Sequence, residues 1–269
     1  MRGLRPGRSW RYARGMTMIR PGTVWLVGAG PGDPELLTRK AEALLRQADV
    51  VFHDALVGEG VLALIEPGAR RVSVGKRSGR HSQAQPEINA ALLRAALAGE
   101  RVVRLKGGDP SIFGRSAEEI AHLAAHGVAV QVCPGVTAAS AAAAAAGLSL
   151  TLRQEARHLT FVTGHLCGEP AALDWQALAS PQGSLVVYMG RSAAAGIARA
   201  LLAHGLAGDT PALLVGNVSA PDQFLRPATL ATLADVVRAV PADAPLLLMI
   251  GRAFACPTNL AEALESVRA

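Results

Sequence analysis

With 269 residues, half of them hydrophobic and only 4% aromatic, the chain can bury one large or two modest cores, and its composition favours alternating helices and buried parallel strands rather than an all-β sandwich. Its formal charge of +6 equals the contribution of six arginines in the first 20 residues, Arg2, Arg5, Arg8, Arg11, Arg14 and Arg20, and the remainder is formally neutral. The basic pI therefore gives no support to a nucleic-acid surface on the folded part, and residues 1–21 read as a basic extension outside it.

In chain order, Thr23–Val27 is a short apolar run ending at a glycine, and Pro34–Gln47 follows as a helix with Asp33 as its cap and Pro34 in its first turn. The alternation recurs: Val50–His53 precedes a helix near Gly60, Arg71–Val74 precedes Pro86–Leu97, Val102–Leu105 precedes Ala117–His126, and Val128–Val132 is a fifth run. Strands alternating with helices require crossover connections, which predicts a mostly parallel sheet. Cys133-Pro134-Gly135 breaks the series. Beyond it, Thr137–Ala146 reads as a long helix because alanine has the best helix propensity, and further strands are expected at Leu159–Val162, Leu185–Tyr188, Ala212–Val215 and Leu246–Ile250. The expected architecture is α/β, with domains at residues 22–134 and 135–269, mostly parallel sheets in both, and a ligand cleft between them.

Gly28-Ala29-Gly30-Pro31-Gly32-Asp33 lies between a strand and a helix, where a dinucleotide fingerprint would sit. The match fails in detail: Asp33 replaces the third glycine, Pro31 removes an amide donor, and Asp49 precedes the next apolar run instead of ending it. A nicotinamide-dependent oxidoreductase stays as the rival enzyme, and a binding module with a basic tail as the non-enzymatic alternative. The second loop, Arg104 to Arg115, follows the fourth strand at a carboxyl edge, where open α/β sheets hold ligands. Gly107 and Gly108 permit close backbone approach, and the carboxylate of Asp109 suits a cationic or hydroxylated ligand better than a phosphate. S-adenosylmethionine, with a sulfonium, an ammonium and a ribose diol, has that chemistry.

Cys133, Cys167 and Cys256 form no C-x-x-C pair, and His81 and His165 lack metal-ligand spacing, so neither a disulfide framework nor a metal site is expected. No apolar run reaches the roughly 18 to 20 residues of a membrane span. The protein is expected in a reducing cytoplasm.

Taken as an ordered set, the runs Val27 to Pro34, Val74-Gly75-Lys76-Arg77 with His81-Ser82 and Gln85, Arg104 to Arg115, Pro134-Gly135-Val136-Thr137, Thr163-Gly164-His165 and Val187-Tyr188-Met189-Gly190 resemble the tetrapyrrole methylase family over about residues 22–255. The resemblance implies a homodimeric enzyme that holds S-adenosylmethionine between two domains, needs no metal, and methylates uroporphyrinogen III at C2 and C7, giving precorrin-2 via precorrin-1 for sirohaem, cobalamin or haem d1. It implies a cofactor site at Pro31, Gly107, Gly108, Asp109, Ile112, Thr137, Ala138, Met189, Val218 and Leu246. It also implies catalytic roles for Arg115 and Asp54, and substrate contacts at Glu118, Arg153, Phe113, Tyr188, Lys76 and Arg77.

The residue chemistry leaves alternatives beside those roles. The Arg115 fork suits a carboxylate of an acidic substrate, or else pairs with Glu118 or Glu119 one turn on. Asp54 accepts a proton or orients the substrate, or else caps the next turn. Lys76, Arg77 and Arg80 form a carboxylate-binding edge or a solvated loop. Ser111, Ser116-Ala117 and Leu152 before Arg153 depart from the family's usual residues, and the last leaves no histidine there for proton transfer.

Overall fold

The computed structural model describes residues 18–75, 84–164 and 173–255. Lys76, Arg77, Arg80, His81, His165, Cys167, Cys256 and the arginines before Arg20 lie outside the described residues.

The first sheet contains β1 (Val24–Gly28), β2 (Val50–His53), β3 (Arg70–Ser73), β4 (Val102–Lys106) and β5 (Val130–Cys133), in the order β3-β2-β4-β1-β5. Every pairing is parallel. Side chains alternate across a strand, so each strand serves two cores. Trp25, Val27, Val51, Val103 and Leu105 pack with α1 (Arg39–Leu45) and α2 (Glu59–Leu62). Val24, Leu26, Val50, Phe52 and Val102 pack on the other face with Leu92 of α3 (Gln85–Leu97) and Leu123 of α4 (Ser116–Ala125).

The single helix expected over Pro34–Gln47 is divided. Asp33 caps a 3-10 turn at Pro34–Leu36, its Oδ1 accepting from the Glu35 amide at 2.8 Å, and Leu37 is extended. Thr38 then caps α1, accepting from the Ala41 amide at 3.1 Å. Two capping side chains five residues apart start two elements, and only the first signal was read. Asp49 stands at the amino end of β2, where its carboxylate takes the Arg101 amide at 2.7 Å and the Arg101 guanidinium. This clasp is on the opposite end of the strand from a ribose-binding acid, in keeping with the mismatch its sequence position shows against a dinucleotide fingerprint.

The second sheet contains β6 (His158–Thr163), β7 (Gly183–Tyr188), β8 (Pro211–Gly216), β9 (Phe224–Thr229) and β10 (Leu246–Ile250), in the order β6-β7-β10-β8-β9. The α/β class holds, but the expectation of a mostly parallel sheet fails in this half. Of its four pairings, β6 with β7 is parallel and the other three are antiparallel. The segment between β8 and β9 is too short for a crossover helix, so β9 folds back as a hairpin. β9 went unforeseen because Arg226 and Pro227 interrupt its apolar pattern, which an edge strand tolerates.

Helix α5 (Ala138–Ala145) has eight residues, shorter than the long helix expected; it covers Val186, Leu213, Val215, Leu247 and Met249. The chain leaves it through Gly147 at φ +63°. Helices α6 (Trp175–Leu178), α7 (Ala194–Ala203) and α8 (Leu233–Ala239) cover Leu185, Val187, Leu214, Leu248 and Ile250 on the reverse face.

Hydrogen bonds from the Arg101 side chain and then its amide hold the Asp49 carboxyl below its ordinary 3.8. A folded value below the unfolded one contributes stability above the unfolded pKa, which is lost as pH falls through the folded value. Asp49→Asn should therefore flatten the acid side of the stability profile. Urea midpoints measured between about pH 6 and pH 3 should fall less for the variant than for wild type; identical profiles would show that the clasp contributes nothing.

Candidate functional site

Beyond the first sheet, β1 and β4 remain stitched together. The Ala29 amide donates to the Lys106 carbonyl at 2.8 Å, and Gly30 and Gly108 exchange amide-to-carbonyl bonds of 3.2 and 2.7 Å. At Gly28 a Cβ would lie 2.5 Å from the Gly135 nitrogen and 2.7 Å from the Gly108 oxygen, so the two glycine loops and the Pro134-Gly135 connection meet backbone to backbone. Asp109 fastens this junction. Its Oδ2 accepts from the Gly135 amide at 2.9 Å, and its Oδ1 accepts from the Ser111 amide at 2.7 Å and from the Ser111 hydroxyl. Ser111, one of the departures from the family pattern, thus fixes the carboxylate. Gly108 is left-handed at φ +67°, and a Cβ built there meets no protein atom within 4 Å. Gly32 brings the Pro31 turn against the carbonyls of Val218 and Ser219, 3.3 and 3.4 Å from a Cβ at that glycine.

From the second sheet, Tyr188 at the end of β7 reaches the start of α5. Its hydroxyl lies 2.5 Å from Thr137 Oγ1 and accepts from the Ala139 amide at 3.3 Å. Its ring packs against Phe113 and Phe161, with centroids 5.2 and 5.6 Å away. Burial pushes the Tyr188 phenol above its ordinary value, so it remains neutral and hydrogen-bonding. Met189 follows at φ 52°, half-exposed. The ends of β6 and β7 touch closely, because the Gly164 amide donates to the Tyr188 carbonyl at 2.7 Å and a Cβ at Gly164 would come 2.5 Å from Gly190 Cα.

The fold therefore gathers Pro31, Gly107, Gly108, Asp109, Val218, Thr137, Ala138, Tyr188 and Met189, together with Phe113, where the first sheet's carboxyl-edge loops face the second sheet. Ile112 is part of the same loop, half-buried, its amide bonded to the Asp109 carbonyl at 3.2 Å. Leu246 differs: its side chain belongs to the core beneath α7 and α8, so any ligand contact falls to its backbone. Arg153 is exposed on a turn closed by reciprocal bonds of 3.0 and 2.9 Å between Leu152 and Ala156.

Arg115 occupies the position before α4 in a left-handed conformation, φ 54°, as does Phe113 at φ 50°. The Arg115 Nε and Nη2 donate to the two oxygens of Glu118 at 2.8 and 2.7 Å, which depresses the Glu118 carboxyl. The pairing weighed as an alternative is present, with Glu118 as its partner. Glu119, the other candidate, points inward and is fully buried.

Asp54 directly follows β2 and lines a cavity of about 270 Å³ with His53, Glu59, Leu62 and Ser73. Its carboxylate does not cap the next turn: Oδ1 pairs with Arg104, and Gly58 is the cap of α2. Arg104 and Lys106 are buried, and both bind Glu119, through Arg104 Nε at 3.1 Å and Lys106 Nζ at 2.8 Å. Burial lowers the Lys106 pKa. This cluster was missed from the sequence, although its signal was there: two cations two residues apart in an apolar strand share one face. Among the described residues, no group of three or more His, Cys, Asp or Glu is arranged to hold a metal ion. No helix of the described residues is long and apolar enough to cross a membrane.

The family profile of the tetrapyrrole (corrin/porphyrin) methylases matches residues 23–234. The chain belongs to this family. Among solved structures, the methylase resembles uroporphyrin III C-methyl transferase from Thermus thermophilus in its native form, with 42% identity, TM-score 0.73, and coverage of 86% of this chain and 92% of that one. The same Thermus enzyme complexed with S-adenyl homocysteine matches at 44% identity and TM-score 0.73, covering 86% of this chain and 98% of that one. A cobalt precorrin-4 methyltransferase matches at 28% identity and TM-score 0.78, covering 87% and 96% respectively. The siroheme synthase of Nitrosococcus oceani is 51% identical over 89% of the methylase and 51% of its own length. The methylase thus spans about half the length of the curated relatives it matches.

Tyr188→Phe would deprive the Ala139 amide and Thr137 hydroxyl of their shared partner. The expected loss is about 1 to 2 kcal/mol of unfolding free energy in urea; an unchanged midpoint would mean that water replaces the phenol at no cost.

Proposed function

We propose that this methylase transfers methyl groups from S-adenosylmethionine to C2 and C7 of uroporphyrinogen III, giving precorrin-2 by way of precorrin-1. The observation that carries the proposal is the convergence of the two glycine loops with Thr137, Tyr188 and Met189 on one place between the sheets, in a chain over 40% identical to solved uroporphyrin-III C-methyltransferases.

The residues present suit the methyl donor. Gly108 leaves open space where any side chain would project, and Pro31 removes an amide donor that a pyrophosphate would need from the first loop. When bound, S-adenosylmethionine supplies a sulfonium methyl: the S–CH₃ bond breaks as the C–CH₃ bond forms, the sulfonium becomes a neutral thioether, and a proton leaves the tetrapyrrole. The protein's part is mainly alignment, for which well-oriented reactants gain roughly 7 to 11 kcal/mol.

Phe113 and Tyr188 present aromatic surface to the pyrrole rings of the substrate, with Met189 beside them. Arg115 orients a substrate carboxylate; its geometry with Glu118 displays the two-pronged pairing that such a carboxylate would make. Because a guanidinium stays protonated, orientation is assigned to Arg115 and the acceptance of a ring N–H or of the departing proton to Asp54. Arg153, Lys76 and Arg77 complete the proposed set of carboxylate partners. The reading further takes in domains at 22–134 and 135–269, a homodimer, and a cytoplasmic location; the expected extension over residues 1–21 is corrected at its end, because Ile19 is buried in the core of the first domain and its amide donates to Gln47 Oε1 at 3.1 Å. The names of the half-matched relatives favour sirohaem as the destination of precorrin-2.

Incubation with uroporphyrinogen III and S-adenosylmethionine should give a product that gains two methyl groups by mass and, after oxidation, the absorbance of a dimethylated ring. Failure to methylate would refute the proposal. Gly108→Val should weaken S-adenosylmethionine binding by more than about tenfold in calorimetry while circular dichroism is retained; an affinity within about threefold of wild type would place the donor elsewhere. Arg115→Lys should reduce turnover by roughly 10²-fold or more with donor affinity nearly unchanged, and near-normal turnover would dismiss the fork geometry.

A further inference from the structure

We infer that Arg104, Lys106 and Glu119 form a buried positioning assembly that fixes the Asp54 carboxylate for reaction and ties it to the loop bearing Arg115. The inference rests on the proposed methyl transfer and adds to it three buried residues, two of them on β4 at the root of the second glycine loop.

The charges are unusually deep. The side chains of Arg104 and Lys106 are each 4% exposed, that of Glu119 is 0%, and that of Asp54 is 30%. Burying two cations with one anion leaves an excess positive charge inside the protein, and isolated buried charge is strongly disfavoured. Asp54 supplies the missing negative charge at the cavity mouth. The four groups form one chain: Asp54 accepts from Arg104 Nη2, Arg104 Nε donates to Glu119 Oε1, and Lys106 Nζ donates to Glu119 Oε2. Two neutral ties hold its inner members. Arg104 Nη1 donates to the Leu105 carbonyl at 3.0 Å, and Gln85 Nε2 donates to Glu119 at 3.3 Å. A buried ion network of this kind gives little net stability compared with apolar packing, so its value lies in geometry.

Two consequences bear on the reaction. First, Arg104 engages Oδ1, directing the second oxygen of Asp54 to an N–H donor or proton from the tetrapyrrole. Second, Glu119 is adjacent on α4 to Glu118, which forks Arg115, and Lys106 lies under the same loop: a Cβ at Gly114 would come 3.0 Å from Lys106 Cε. Displacement of α4 therefore moves both ends of the substrate site together.

The test is a double-mutant cycle on the full chain, followed by methylation of uroporphyrinogen III and by calorimetry with S-adenosylmethionine. Arg104→Gln should lower kcat at least roughly tenfold, with donor affinity within about threefold of wild type. In an Asp54→Asn background, the same change should cost less than about threefold more, because Arg104 acts through Asp54. Arg104→Lys, which keeps the charge, should recover part of kcat. If Arg104→Gln does not fold, Arg104→Gln with Glu119→Gln removes one charge of each sign and replaces it in the cycle. Full multiplication of the two losses, or a loss confined to KM or donor affinity, would overturn the inference. A wild-type chain unable to methylate uroporphyrinogen III would instead remove the functional reading beneath it.

Discussion

The site depends on a backbone junction at which side chains have no room. Gly28, Gly108 and Gly135 come from three separate segments; a Cβ at Gly28 or Gly135 would collide with main chain of the other and with the Gly108 carbonyl, while Gly108 itself faces open space. Hydrogen bonds between the first two loops and the Asp109 bond to the third convert this proximity into a fixed arrangement. The Pro134-Gly135 connection leads directly to α5 and the second sheet, so the same junction determines where Thr137 meets Tyr188. Loop geometry, the approach of the two sheets and the opening above Gly108 are consequently one structural problem with one solution.

Around that main-chain junction the protein arranges its charges at two depths. Arg115 and Glu118 lie at the surface, where solvent weakens their attraction and lets partners exchange. Arg104, Lys106 and Glu119 lie inside, where a charge retains strong interactions and has few alternative positions. On the proposed function, an acidic, flexible substrate would draw on both kinds: exposed cations that can gather carboxylates, and a carboxylate whose orientation has been settled before the substrate arrives.

Much of this was legible in the sequence because it resides in local signals. Strand runs, caps and the glycine loops each obey short-range rules, and the first sheet followed the expected pattern strand by strand. The second half was harder because strand direction depends on connection length and on partners far along the chain; neither is encoded in the apolar run of Leu246–Ile250, which is equally compatible with a parallel or an antiparallel neighbour. For the site, the glycine and aromatic positions were readable by resemblance. The deep charge chain was not, because Glu119 beside Glu118 looks like one acidic stretch on a surface helix. Only the 100° rotation between successive helical residues separates an exposed carboxylate from a buried one.

Phe113, Arg115 and Met189 all carry positive φ angles, a conformation that asparagine or glycine adopts with less strain. A sequence optimised for thermal endurance would relax these positions first, for gains on the order of 1 kcal/mol each. On the proposed function all three line the site, so such sturdier variants would be poorer catalysts. These two loops are thus a place where selection for longevity and selection for turnover pull on the same residues in opposite directions.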